Sequence, residues 1–439
     1  MELSCLFTTS RSAALKLFDG GKYNTLQTYR LLLNGEPLME TDRTITSLYG
    51  LKPDTEYCIS VQDGEESITI RTLPESVSLN ARRFGAVGDG VHDDTAAIQA
   101  AINHAAAQGG GRVLFPYTKG GYRIASPGIA EYNGKPLRAQ LMIPPGDANI
   151  MLEGEMPCRM LNAYIVRKLD SVKNNFTPTR FAEFAEMIPG SDNTRIFSDW
   201  DAPEEHDPTA RPWSILAAPE GTSCKGKFST TQFSIANLDF RVPMRHDKMY
   251  PTQTAVNLQN VSRVHVCDSQ FCLAESVGDT VLGKELLANP CHTAGLVLSG
   301  DQNDNNVVRN VAVQGFRYGL VAGEHVVADY LYIHNCEEGL TFHDCSHLSV
   351  IHHIVAQHNT VILSTTDTDL FGMPKGPCNV EIGTVNFECG TGLQPTVSQL
   401  QYGVRDNDRR LHGSLRWHKP WGKQEFPTVC GEAFRVSKF

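Results

Sequence analysis

RRFGAVGDGVHDDTAAIQAAINHAAAQGGGRVLFPYTKGGYRI, residues 82–124, is the stretch on which the fold turns. Gly88 and Gly90 permit a tight turn, because glycine takes positive φ without a steric penalty. Asp93 or Asp94 can then N-cap a helix beginning near Thr95 by accepting amide hydrogens its first turn leaves unpaired. Ala97, Ile98, Ala101 and Ile102 recur at helical spacing, Gly109, Gly110 and Gly111 end the run, and Val113-Leu114-Phe115 begins β structure. A helix that is apolar on one side and runs straight into strands is suited to cover the open end of a solenoid. Asp89, Asp93 and Asp94 form a carboxylate cluster here, for which turn and cap roles are expected rather than catalysis.

Downstream, short β-rich runs end in polar turns between Asn149 and Cys389. One set reads Ala255 to Leu258, Gly295 to Leu298, Gly319 to Ala322, Gly339 to Phe342 and Thr360 to Leu363. The starts at 295, 319, 339 and 360 lie about one solenoid coil apart, near the ~20-residue period of such repeats. A second set follows it: Val264 to Val266, Val311 to Val313, Leu331 to Ile333, Ile351 to Val355 and Val380 to Val385. Period-2 alternation points Leu296, Leu320 and Val361 inward and Val297, Val321 and Ile362 outward. Residues 156–230 and 272–292 break the period and are expected to be loop insertions. The tail 391–439, with Trp417 and Trp421, is expected to cap the far end.

Upstream, residues 1–74 alternate as short antiparallel strands do: Leu31 and Leu33 precede the turn Asn34-Gly35, and Ile59, Val61, Ile68 and Ile70 follow. LYGLKPDTEYCISV, Leu48 to Val61, resembles the fibronectin type III signature. That resemblance places Leu51 in a core and makes Tyr57 a corner tyrosine whose hydroxyl bonds to nearby backbone. A linker is expected over 72–80. The predicted organisation is therefore all-β: a fibronectin type III-like β-sandwich over residues 1–75, then a right-handed parallel β-helix over 76–439 with an N-terminal capping helix.

The 82–124 stretch resembles the N-terminal cap of the pectin-degrading β-helix superfamily, which includes polygalacturonases, pectate-lyase-like proteins, phage tailspikes and alginate epimerases. The resemblance implies a carbohydrate substrate. In polygalacturonases of glycoside hydrolase family 28 an Asp-Asp pair precedes the equivalent strand, and a His-containing motif precedes the strand of the next coil. Glu337-Glu338 and His358 occupy the comparable places here, while the N-T-D, D-D, G-H-G and R-I-K motifs have no counterpart.

The bulk numbers bound the function. With 41% hydrophobic and 20% charged residues the 439-residue chain has globular composition, and its net charge of −10 gives no electrostatic footprint for nucleic acid. No stretch approaches the ~18 apolar residues of a membrane span. The first 21 residues lack the marks of a signal peptide, so a cytoplasmic location is expected unless the chain was trimmed from a secreted form. Twelve scattered cysteines read mostly as reduced core thiols. His343, His347, His352 and His353 lack metal-ligand spacing, so neither metal nor cofactor is expected.

Glycoside cleavage needs one carboxyl to protonate the leaving oxygen and another to activate water or attack. Glu337, Glu338, Asp344 and Glu324 flank the first strand set as candidates, with Asp301, Arg317, His325, His343 and His358 as candidate substrate contacts. A glycoside hydrolase acting on plant or microbial oligo- or polysaccharide is the leading expectation, with Glu337 or Glu338 as acid and Asp344 or Glu324 as its partner. A lyase or epimerase acting on uronates is the second, in which Arg317 and Tyr318 beside His343 would serve proton abstraction. A non-catalytic glycan-binding or structural β-helix is the third, with an outward apolar stripe that would suit a lid or a homo-oligomer interface.

Overall fold

The computed structural model describes residues 1–20, 24–43, 45–48, 50–156, 158, 193–203, 211–221, 229–243, 251–273, 292–298, 305–323, 325–334, 336–342, 349–357, 359, 361–365, 378–388, 402–405, 411–417, 429–430 and 434–438. Near the N-terminus an antiparallel three-stranded sheet (Glu2–Thr8, Ala13–Phe18, Ile45–Leu48) and an antiparallel four-stranded sheet (Asn24–Leu33, Glu36–Arg43, Glu56–Val61, Ser67–Arg71) share one core. Leu15, Leu17, Leu31, Leu51, Ile59 and Ile70 fill it. The Tyr57 ring is buried, and its hydroxyl accepts the Lys52 amide hydrogen at 2.7 Å, the corner expected from the sequence.

The connection to the second part is not a loose linker. Val77–Asn80 is the first strand of a fifteen-stranded sheet and pairs in parallel with Gly110–Phe115. Just before it, Glu75 is enclosed between Arg11 at 2.8 Å and Arg112 at 3.7 Å, and Arg112 also reaches Glu153 at 2.8 Å. The helix Thr95–Ala107 follows and buries Ile98, Ala101, Ile102 and Ala105. Asp94 at its start makes no side-chain cap bond; its carboxylate accepts instead from the Val87 and Gly88 amides at 2.6 and 3.1 Å. Asp93 accepts from the Thr95 and Ala125 amides at 3.1 Å and from the Thr95 and Ser126 hydroxyls. Burial raises the Asp93 pKa, but these hydrogen bonds outweigh it and hold the group at about 2. The cluster is thus occupied in shaping the cap.

Beyond the cap the strands stack in parallel coil upon coil, which makes this part a parallel β-helix. Among the described residues one face is a ten-stranded sheet, and the fifteen-stranded sheet supplies the others. Each face buries a column of residues at one register position. Leu141, Leu216, Val256, Leu296, Leu320, Leu340 and Leu363 line the first; Val113, Leu152, Ile235, Val266, Val308, Ala328, Ile351 and Ile382 line the second. The third begins Tyr122, Ile196, Phe240, Phe271, and the last two rings stack at 5.8 Å. Gly295, Gly319 and Gly339 form a further column on the first face. A Cβ at Gly319 would stand 2.4 Å from the Gly339 carbonyl oxygen, so glycine is required at that position.

Three expectations are corrected. Leu340 pairs with Leu363 and Glu338 with Val361, so Ile362 belongs to the interior and Val361 lines up with Glu338, two residues away from the alignment expected for Thr360 to Leu363. The supposed insertion 156–230 contains Arg195–Ser198 and Ser214–Ala217, which are coil strands paired with the preceding coil. In the tail, Leu411–Trp417 and Phe434–Lys438 continue the fifteen-stranded sheet instead of merely covering it. Trp421 lies outside the described residues. Among the described residues, no helix is long and apolar enough to cross a membrane.

The sandwich lies against the second face of the β-helix. The Ser12 hydroxyl meets His265 Nδ1 at 2.8 Å, Gln232 donates to the Thr8 carbonyl at 3.1 Å, and Ala14 and Leu6 pack with Val307 and Val327. Burial first, then the charge of Arg309, lowers the His265 pKa to about 4. Below the ordinary histidine value of 6.5 the unfolded chain gains a proton that the folded chain refuses until about pH 4. Stability is therefore complete above pH 6.5 and declines as the pH falls toward 4, by on the order of 3 kcal/mol at most. Denaturant unfolding at pH 7 and pH 5 should show this decline, and His265→Gln should flatten it. An unchanged slope in that variant would remove His265 as its source.

Candidate functional site

Just before the strands Ala294–Val297, Tyr318–Ala322 and Glu338–Phe342 the chain places His292, Arg317 and Glu337. Tyr318 and Glu338 occupy one register position on the strands Tyr318–Ala322 and Glu338–Phe342, with Ala294 one coil earlier. Tyr318 packs with Ala294, Val297 and Val321 in a small cluster separate from the main interior one, so this column faces away from the interior. The apolar outward positions Val297 and Val321 were legible as such; Ile362 was not among them.

His292 and Tyr318 are both buried and stack with ring planes 11° apart and centroids at 6.0 Å. The Tyr318 hydroxyl and His292 Nδ1 stand 3.3 Å apart, within reach for a shared proton. Arg317 lies 5.5 Å from the centroid of the Tyr318 ring, and its Nε lies 3.6 Å from Glu337 Oε2. Glu338 is buried and accepts from the Ser364 hydroxyl, which in turn lies 3.0 Å from the Thr341 hydroxyl. Backbone bonds fix the group: Tyr318 N donates to Thr293 O at 3.0 Å, Glu338 N to Arg317 O at 2.8 Å and Val361 N to Glu337 O at 2.8 Å.

The structure thus gathers Arg317, Glu337 and Glu338 at one end of the strands. His325 is not with them. It follows the far end of Tyr318–Ala322, at φ 47°, where its carbonyl accepts from the Asn306 amide at 3.3 Å. At ~3.3 Å per strand residue, the five-residue strand keeps it well over 10 Å from Tyr318. Asp344, Glu324, Asp301, His343 and His358 lie outside the described residues. His292 likewise precedes a strand of this set: it lies two residues before Ala294, and Ala294 pairs with Tyr318. Among the described residues no cluster of three or more His, Cys, Asp or Glu side chains could hold a metal ion.

Chemically, Tyr318 and His292 can pass a proton, and Arg317 brings positive charge beside them. Glu338 accepts from a hydroxyl, and Glu337 lies in ion-pair range of the Arg317 guanidinium at 3.6 Å. Buried thiols lie elsewhere and are poor nucleophiles: burial pushes Cys336 up to about 12 and raises Cys158 and Cys272 further. Of the described cysteines, Cys58 is exposed, unlike the core thiols expected.

Residues 78–135 match the family described as Rhamnogalacturonase A/epimerase, pectate lyase-like. Mannuronan C5-epimerase AlgE5 of Azotobacter vinelandii is 61% identical over 49 residues, which are 11% of this chain and 5% of that protein. The chain therefore matches only a small part of that relative's length. Among solved structures, the family 28 exopolygalacturonase of Yersinia enterocolitica is 12% identical with a TM-score of 0.39, covering 99% of this chain and 98% of that one. The A-module of Azotobacter vinelandii mannuronan C-5 epimerase AlgE4 is 16% identical with a TM-score of 0.27, covering 82% and 100%.

Proposed function

We propose that the chain is a carbohydrate-active enzyme that moves a proton at a uronate residue of an acidic glycan, in the manner of a lyase or C5-epimerase. The observation that carries this reading is the stacked Tyr318–His292 pair with Arg317 beside it. A base that removes the proton next to a sugar carboxylate needs the resulting negative charge offset, and a guanidinium does that. Tyr318 would take the C5 proton and pass it to His292. Breaking the C4–O bond, with the leaving oxygen protonated by solvent, then leaves a C4=C5 double bond, whereas a proton delivered from water to the opposite face inverts C5. The resemblance of the cap to a family whose description joins a rhamnogalacturonase with an epimerase agrees with a glycan substrate.

Hydrolysis is the second reading, favoured by the burial of Glu338 and its bond from Ser364. It needs one carboxyl to donate a proton, and Glu338 is held as an acceptor while Glu337 is ion-paired with Arg317, which places it second.

Incubation with uronate and neutral oligosaccharides, followed by mass and ultraviolet analysis of products, separates the readings. Unsaturated, ultraviolet-absorbing products or a mass-neutral change of C5 configuration are expected. A mass gain of one water would overturn the proton-transfer reading in favour of hydrolysis. Absence of any reaction would leave glycan binding without catalysis.

A further inference from the structure

At the corner where the second face of the β-helix turns into the third, successive coils carry Asn237, Asp268, Asn310 and Tyr330 at one register position. All four take left-handed backbone conformations, with φ of 59°, 47°, 50° and 60°. Asn and Asp tolerate this region because their short polar side chains bond locally. Two of them also bond across coils: Asn310 donates to Asp268 Oδ1 at 2.6 Å, and Asn237 to the Gly154 carbonyl at 3.4 Å. Tyrosine has no such means, and for a bulky side chain this conformation is an outlier. The residue is nevertheless 40% exposed. A strained residue that points an aromatic ring at solvent invites a functional explanation, since nothing in the packing of the interior asks for it.

The surroundings of Tyr330 narrow the ligand. His353 of the following coil lies against its ring at 5.2 Å, tilted by 44°. On the rung just before the corner, Arg309 and Asp329 stand 4.0 Å apart and both retain partial exposure. An exposed ring beside a pair of charged hydrogen-bonding groups matches the two-sided chemistry of a pyranose, whose C–H face is apolar and whose rim carries hydroxyls. The corner joins the second and third faces, away from the ten-stranded sheet that carries Tyr318 and Glu338.

We propose that Tyr330 and His353 form a second glycan-binding platform on the outer corner of the β-helix, taking one sugar ring of a polymer against Tyr330 with Arg309 and Asp329 toward its hydroxyls. The platform would hold the polymer without taking part in bond breaking. It rests on the reading of a glycan substrate, but not on the chemistry assigned to Tyr318.

The test is native affinity electrophoresis of the full chain in gels containing polygalacturonate, alginate or a neutral glucan, beside Tyr330→Asn. Asparagine suits the left-handed position, so the variant should unfold at the wild-type temperature or up to about 2 °C higher. Wild type should be retarded by at least one polymer, and Tyr330→Asn should weaken that retardation about ten-fold, the scale of covering one aromatic face. Turnover of short soluble oligosaccharides should not change in the variant. Equal retardation of both proteins, or none of the wild type in any gel, would overturn the platform; so would a variant that loses retardation only together with thermal stability. If retardation is lost as expected while wild type turns over no substrate, the catalytic reading fails and the platform stands.

Discussion

Tyr318→Phe is expected to lower turnover by about 10²–10⁴-fold, the usual contribution of a positioned acid or base, while the protein stays folded. The substitution removes one oxygen. It keeps the ring stacked on His292 and the contact with Arg317, and it gives up a 3.3 Å hydroxyl contact whose net contribution to stability is about 1 kcal/mol. Loss of activity with an unchanged unfolding midpoint would therefore report chemistry. Glu338→Gln is the informative companion. If the glutamate only receives the Ser364 hydroxyl bond, the amide oxygen can receive it too, and activity should fall much less than in Tyr318→Phe. If hydrolysis is the reaction, the order reverses, because the carboxyl is then a reacting group and the phenol is not. A Tyr318→Phe enzyme with full activity would remove the phenol from the mechanism.

The parts of the fold legible in the sequence are those where a local rule and the global architecture agree. Ile98, Ala101 and Ile102 mark one side of the capping helix by spacing alone, and that side is the buried one. Tyr57 five residues after Lys52 reads as a corner because the geometry is local. The glycines 295, 319 and 339 keep phase across three coils, and a Cβ at any of them would crowd the next coil. Register was lost at Thr360 to Leu363. The shift is two residues, which keeps the period-2 phase, so alternation along TVIL cannot reveal it. The pairing of Leu340 with Leu363 and the contact of Thr341 with Ser364 across the coils decide it instead.

The site follows the same division. Arg317, Glu337 and Glu338 were legible because all three directly precede or open a strand of one set. His325 follows such a strand, and the length of the strand separates it from that group. The pairing of His292 with Tyr318 depends on coil register, since 26 residues separate them. The roles of the cap carboxylates turned on counting acceptors: with amides and hydroxyls already directed at Asp93 and Asp94, their placement is that of structural groups.

Asp239→Ala should destabilise the protein by about 3–5 kcal/mol, the cost of breaking a buried ion pair and leaving its partner charge behind. Asp239 and Arg241 alternate with the interior residues Phe240 and Val242 and so face outward, yet both are buried. The carboxylate accepts from Arg241 Nε at 3.1 and 3.0 Å and from its Nη2 at 2.8 Å, and Arg195 of the preceding coil approaches to 3.9 Å. The charge of Arg241, followed by burial, lowers the Arg195 pKa to about 10 in spite of the opposing pull of Asp239. One carboxylate therefore stands between two enclosed guanidiniums, and without it like charges face each other at low dielectric. Arg241→Met should cost less, because Asp239 keeps Arg195 as a neighbour. The double variant Asp239→Leu, Arg241→Met should recover part of the loss seen in Asp239→Ala, since it also removes the Arg241 charge and leaves only Arg195 without the carboxylate. Denaturant unfolding of the three variants reads this directly. A double variant less stable than Asp239→Ala would mean that shape, and not charge balance, is what the pair contributes.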